Sequence, residues 1–115
     1  MPIKLLKDKI LPVIFKHVHR EECVVFLFGS FAQKQSVQSS DIDIGIICAK
    51  PLANLTLLKI KEELEGQTLR DIDLIDFTSA SDKEFLKLAL RRIKICHQTR
   101  KSKVYLANLR KRAKD

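Results

Sequence analysis

The chain has 115 residues and a mass of 13.2 kDa, room for one core that hides roughly two-thirds of the unfolded surface, which excludes a two-domain enzyme. Hydrophobic residues make up 45%, charged residues 31%, and there are only three glycines and three prolines, so collagen-like, low-complexity and disordered classes are excluded as well. The net charge of +8 is concentrated late: residues 1–81 hold 10 Lys/Arg against 11 Asp/Glu, residues 82–115 hold 12 against 3, a positive field that reads as a solvated face, a dock for an acidic partner or a nucleic-acid contact.

In chain order, Ile3, Leu6, Ile10, Ile14 and Val18 recur at helical spacing and predict a helix from Pro2 to His19, with Pro12 kinking it or starting a second turn. Glu21-Glu22 ends that segment. Cys23 to Phe28 is short, β-branched and aromatic and stops at Gly29-Ser30, as a buried strand meeting a sharp turn does. After the polar stretch Gln33 to Ser40, Asp41 to Cys48 alternates acids with isoleucines and then turns wholly apolar, a strand whose first end reaches water on one face.

Pro51 can open a helix, with Ala53, Leu57, Ile60 and Leu64 on one face and Gly66 as its cap. Asp71 to Phe77 is a third strand. Ser81-x-x-Glu84 reads as a capping box before a helix carrying Phe85, Leu86, Ala89 and Leu90, and Ile93 to His97 is either its end or a last short strand. Residues 98–115 are expected to form a basic, weakly amphipathic helix. The expected class is therefore α/β, or more loosely α+β: residues 1–115 as a single domain with one mixed sheet flanked by helices.

The longest apolar runs, Cys23–Phe28 and Ile44–Ala49, are far short of the roughly 20 residues that cross a bilayer, and the first residues carry no secretory signal pattern. The expected location is the cytoplasm. Three widely spaced cysteines, Cys23, Cys48 and Cys96, fit reduced core thiols rather than a disulfide framework or a zinc site.

The chemistry is concentrated in Phe28-Gly29-Ser30, ten residues, then Asp41-Ile42-Asp43. Carboxylates at i and i+2 of a strand share a face with Cα atoms about 7 Å apart. At about 5 Å two such charges repel by roughly 3 kcal/mol at an effective dielectric near 20, a cost that folding alone gives no reason to accept and that a divalent cation removes. Hard oxygen donors suit Mg²⁺, which keeps waters and takes further ligands from substrate phosphates. Asp73 adds a third carboxylate if its strand lies beside that of Asp43, so that two metals could share Asp41 and Asp43; Asp71, on the same face as Asp73, is its substitute, and Asp76 points to the other face. Gly29 allows close backbone approach, and the Ser30 hydroxyl and following N–H groups suit a phosphate.

Gly29-Ser30, ten residues, Asp41-x-Asp43 resembles the signature of the DNA polymerase β-like nucleotidyltransferase superfamily, and the length resembles its minimal nucleotidyltransferases. The likeness runs from Phe26 to about Ile95. It implies the superfamily's fold, with Asp41, Asp43 and Asp73 holding two Mg²⁺ ions, Asp73 a neighbour and base for the acceptor, and Gly29 and Ser30 gripping a nucleoside triphosphate such as ATP. Where many relatives carry arginine and then glycine, this chain has Gln33 and Lys34, which implies either a phosphate loop of another shape or one that relies on Lys34 as a point charge on the phosphates.

One core of this size has no second domain to position an acceptor, so a partner must. Minimal nucleotidyltransferases of this kind are often paired with a small helical protein of the HEPN (higher eukaryotes and prokaryotes nucleotide-binding) type, as antitoxins that adenylylate the toxin, and the resemblance implies that role here. The alternative is a non-catalytic module that binds a nucleotide or partner and neutralises or scaffolds it by contact. RNA binding by the basic last third is poorly supported, since Tyr105 is its one interleaved aromatic. His17 and His19 read as helix-end or surface residues, Cys96-His97 as buried structure rather than a metal site, and Phe26, Phe28 and Phe77 as core; Phe31, beyond the turn, is a candidate contact for a nucleobase.

Overall fold

A computed structural model describes residues 3–29 and 41–114. Helix α1 (Ile3–Ile14) leads through a 3₁₀ turn (Arg20–Glu22) into β1 (Cys23–Phe28); β2 (Ile42–Cys48), α2 (Asn54–Thr68), β3 (Ile72–Asp76), α3 (Lys83–Ala89), β4 (Lys94–His97) and α4 (Lys103–Lys114) follow. The sheet has the order β3-β2-β1-β4, with β1 antiparallel to both β2 and β4, and β2 parallel to β3. The parallel pair follows from α2, a crossover long enough to return the chain to the same end of the sheet.

Each face of the sheet buries its own cluster. Leu6, Ile10 and Ile14 of α1 and Ile60 and Leu64 of α2 pack on Val25, Leu27, Ile42, Ile44 and Ile46. On the opposite face, Leu86 of α3, Leu90 just after it, and Leu106 and Leu109 of α4 pack on Val24, Phe26, Phe28, Ile47 and Phe77. Strand alternation therefore assigns Asp43 and Gly45 to the α3–α4 side. Gly45 is needed there: a Cβ on it would fall inside the Phe26 ring, 2.8 Å from Cε1.

Several boundaries depart from the expected ones. Helix α1 runs through Pro12 and stops at Ile14, where the i→i−4 pattern gives way to i→i−3 bonds, Lys16 N–H to Val13 O and His17 N–H to Ile14 O, at 3.2 and 3.0 Å. Pro51 stays outside α2, because the Leu52 N–H donates to Asp76 Oδ2 at 2.8 Å and holds the approach extended. Gly66 is not the cap. The helix runs on to Thr68, whose hydroxyl donates to Leu64 O, and ends at Leu69 in the left-handed region (φ 56°). Helix α3 is capped by Asp82, not Ser81, through Phe85 N–H at 3.2 Å. Residues 98–102 are a polar turn in which Thr99 and Ser102 each accept from the other's backbone N–H, at 2.9 and 2.8 Å, so the last helix begins only at Lys103. Ile93–His97 resolves into strand β4.

All three cysteines are unpaired and buried, and desolvation pushes their thiols up to about 11 for Cys23, 12 for Cys48 and 11 for Cys96, which makes them poor nucleophiles. No described helix is long and apolar enough to cross a membrane.

Candidate active site

The sheet gathers the candidate residues at one end. Asp43, the second residue of β2, is the register partner of Phe28, the last residue of β1. It is also level with Asp73, the second residue of β3, across the parallel pair. Both elements place these aspartates for the same reason: their buried isoleucines, Ile42 and Ile72, are themselves register partners and face α1 and α2, so the residue after each must face the other way. The parallel pairing begins with Ile42 N–H donating to Asp71 O at 3.0 Å. That leaves Asp71 ahead of β3 as a backbone acceptor, while Asp73 is the residue beside Asp43.

Asp43 is half-buried and Asp73 and Asp41 are exposed. Burial is the main cause that pushes the Asp43 carboxyl up to about 6, and the charges of Asp73 and Asp41 and a hydrogen bond with Asp73 push the same way. A bound cation would relieve both the desolvation and the like-charge repulsion of such a carboxylate. The donor set, all hard carboxylate oxygens, fits Mg²⁺. Among the described residues, no three His, Cys, Asp or Glu side chains are gathered as a ready-made cage. Mg²⁺ is ordinarily held by one or two carboxylates, completed by waters and substrate phosphates, so Asp43 and Asp73 are the described residues that could hold one.

Gly29 closes the other side. Its φ is +70°, a conformation that suits glycine, and a Cβ on it would overlap Asp43 Oδ2 and lie 3.1 Å from Cγ. Gly29 thus lies directly against the carboxylate. Ser30 and Lys34, the expected triphosphate contacts, and Gln33 and Phe31 lie outside the described residues.

Other expected residues go elsewhere. Asp76 faces away, as alternation requires, and ties the far end of β3: besides Leu52 N–H it accepts from the Thr78 N–H at 3.0 Å and hydroxyl at 2.5 Å. Thr78 Oγ1 in turn accepts from Cys48 N–H at 2.9 Å, and Arg112 of α4 donates to Thr78 O at 3.3 Å. This knot was not foreseen. Its legible signal is Asp76-Phe77-Thr78, an aspartate followed two residues later by a threonine, the pattern of a side chain accepting from the backbone at i+2. His17 lies past the end of α1 and pairs with Glu63 at 3.1 Å. His97 packs edge-on against Phe15 and donates to Arg20 O at 2.7 Å, so Cys96-His97 is structural. Phe26, Phe28 and Phe77 form one buried ring cluster with centroids 5.2–6.0 Å apart.

Comparison with known proteins points the same way. Residues 12–102 match the family described as polymerase beta, nucleotidyltransferase. The protein adenylyltransferase MntA of Shewanella oneidensis is 31% identical over 78 residues, which are 68% of this chain and 55% of MntA, so the chain matches about half the length of that relative. A protein of Methanocaldococcus jannaschii is 32% identical over 79 residues, 69% of this chain and 82% of its own. Among solved structures, a toxin–antitoxin crystal structure with AMP-PNP superposes with a TM-score of 0.75 at 23% identity, covering 91% of this chain and 84% of the other. A tri-AMPylated Shewanella oneidensis HEPN toxin in complex with its MNT antitoxin gives 0.72 at 21% identity, with 94% and 83% covered. At these identities the superpositions establish a shared fold.

Proposed function

This chain belongs to the polymerase β nucleotidyltransferase family, and from that premise we propose that it is a protein adenylyltransferase, moving AMP from ATP onto a hydroxyl of a small helical HEPN-type protein in a toxin–antitoxin pair. The observation that carries this reading is the juxtaposition of Asp43 and Asp73 on parallel neighbours with Gly29 lying against Asp43. The names of its relatives supply the nucleotide and the acceptor: MntA is a protein adenylyltransferase, and an MNT antitoxin occurs in complex with an AMPylated HEPN toxin.

In the reaction, the acceptor oxygen attacks the α-phosphorus in line. The new O–P bond forms as the bond to the bridging oxygen of pyrophosphate breaks, and the acceptor proton passes to Asp73, an exposed carboxylate beside Asp43. Asp43 and Asp41 would hold a metal facing the triphosphate, and Gly29 with Ser30 and Lys34 holds the departing phosphates. Two Mg²⁺ ions bound between Asp41, Asp43 and Asp73 would supply charge neutralisation on the triphosphate and a lowered pKa at the acceptor hydroxyl. Residues 1–115 act as one catalytic unit, and the partner positions its own hydroxyl. Three buried, unpaired thiols suit the reducing cytoplasm as its place of work.

The test is to mix the protein with ATP, Mg²⁺ and the candidate helical partner and weigh the partner by mass spectrometry. A gain of one or more adenylyl groups, lost in Asp43→Asn with the fold intact, is the expected result. Transfer that survives in Asp43→Asn ends the metal assignment, and a complex without mass gain identifies the protein as a contact-only module.

A further inference from the structure

Helix α2 is capped by Leu69 in the left-handed region, at φ 56°, the one non-glycine residue with a positive φ among the described residues. The same side chain is 89% exposed, more than any other large apolar side chain described. A lone exposed leucine is ordinary on a protein surface, and a left-handed cap is ordinary for glycine or asparagine. Leucine in that conformation and almost wholly in water combines two costs, backbone strain and hydrated apolar surface, and the fold gains from neither. The backbone on either side is pinned. The Leu69 N–H donates to Glu65 O at 2.9 Å, the Arg70 N–H to Thr68 Oγ1 at 3.3 Å and the Ile72 N–H to Glu65 Oε2 at 3.1 Å, while Asp71 O accepts from the Ile42 N–H. Glu65 thus ties the cap to the start of β3 and holds Leu69 at a fixed place relative to Asp73, four residues on and so at most about 14 Å away.

We propose that Leu69 is a docking anchor, inserted into an apolar socket between helices of the protein that receives the adenylyl group. The identity of that partner rests on the transferase reading above. A protein acceptor must bring its hydroxyl to Asp43 and Asp73, so it covers the end of the sheet at which β2 and β3 begin. An ordinary interface occupies about 800 Å² per partner, a patch about 30 Å across, and a patch of that size that takes in Asp73 extends to Leu69. Docking removes the leucine from water, and the bonds on either side spare the loss of backbone freedom that a mobile loop suffers on binding. A nucleic acid would gain nothing here, since an aliphatic side chain offers neither a ring for stacking nor a charge for phosphate.

The helical partner of the transfer assay serves as the probe, and its binding is measured by calorimetry without ATP, so that docking is read apart from chemistry. Leu69→Gly, which suits the left-handed φ, should melt at or above the temperature of the parent protein yet bind the partner at least about tenfold more weakly. Leu69→Met, which keeps an apolar side chain, should bind within about threefold of the parent. Leu55→Asn, which removes another exposed leucine (61%) at the opposite end of α2, should also stay within about threefold. In the transfer assay the loss should fall on KM for the partner, with kcat at saturating partner and the rise in melting temperature with ATP and Mg²⁺ unchanged. Undiminished binding by Leu69→Gly, an equal loss in Leu55→Asn, or a lower melting temperature of Leu69→Gly would each overturn the anchor. So would a fall in kcat alone, which would make Leu69 a support for Asp73. Transfer that Leu69→Gly leaves untouched would remove the anchor and keep the transferase reading; binding lost in Leu69→Gly, with no mass gain in the parent, would keep the anchor and remove that reading.

Discussion

Gly29 and Asp43 touch so closely that the backbone of one forms the wall against which the carboxylate of the other is set: any side chain at position 29 would occupy the space of Asp43 Oδ2. The positive φ of Gly29 and this contact are two separate reasons for the same residue.

Gly29→Ala is expected to abolish transfer while leaving the protein folded. The methyl group must push the Asp43 carboxylate away from its place beside Asp73 and adopt a left-handed φ at a cost of about 1–2 kcal/mol. Circular dichroism and a transfer assay check this together; a variant with native turnover would show that the position of the carboxylate does not matter.

Asp43 makes the metal-free protein sensitive to pH in a defined direction. Its carboxyl is pushed up to about 6 from 3.8, so the folded state holds this proton more tightly than the unfolded state. This group's contribution is therefore fully present below about pH 4, is lost as the pH rises through about 6, and is flat above. A shift of about two pK units amounts to about 3 kcal/mol at full strength, and the access of solvent to a half-buried group reduces it to about 1–2 kcal/mol. Asp43→Asn, without Mg²⁺, should therefore melt several degrees above the parent protein near neutral pH, with the difference closing towards pH 4. Equal melting temperatures at neutral pH would contradict the strained carboxylate.

Mg²⁺ should reverse that balance. A cation that binds the folded site stabilises it by mass action, and because binding needs Asp43 ionised, the rise in melting temperature should shrink as the pH falls through about 6. Melting curves with and without Mg²⁺ on either side of that value check the coupling, and a rise that did not change with pH would place the ion elsewhere.

Asp76→Ala addresses the opposite end of β3. It removes the acceptor for Leu52 N–H and Thr78 N–H and the partner of the Thr78 hydroxyl, and part-buried donors left without a partner cost about 1–3 kcal/mol. Urea denaturation should show a loss of that size, with transfer per folded molecule unchanged. A drop in turnover without loss of stability would move Asp76 into the catalytic machinery.

Much of the site was legible because it depends on local regularities. Cys23–Phe28 is a strand over the residues that its β-branched and aromatic run indicates, and period-two alternation correctly separated Asp73 from Asp76. What one strand at a time could not reveal was which carboxylate stands beside Asp43: Asp71 and Asp73 share a face by alternation, and only the pairing of Ile42 with Ile72 decides between them. The helix ends were misread where a distant acceptor competes with a local signal. Pro51 would start α2 were Leu52 not tied to Asp76, and Gly66 would end it were Thr68 not buried with its hydroxyl on Leu64 O.

The amino-acid sequence by itself determined the strand that stops at Gly29, the two acids that open β2, the cationic last third and the absence of any apolar run long enough for a membrane helix, because each depends on neighbours in the chain. The tertiary structure alone decided that Gly29 lies on Asp43 and that Asp73 rather than Asp71 completes the pair. These are contacts between residues far apart in sequence. They are set by strand register, and the same local pattern is compatible with more than one register until the core packs.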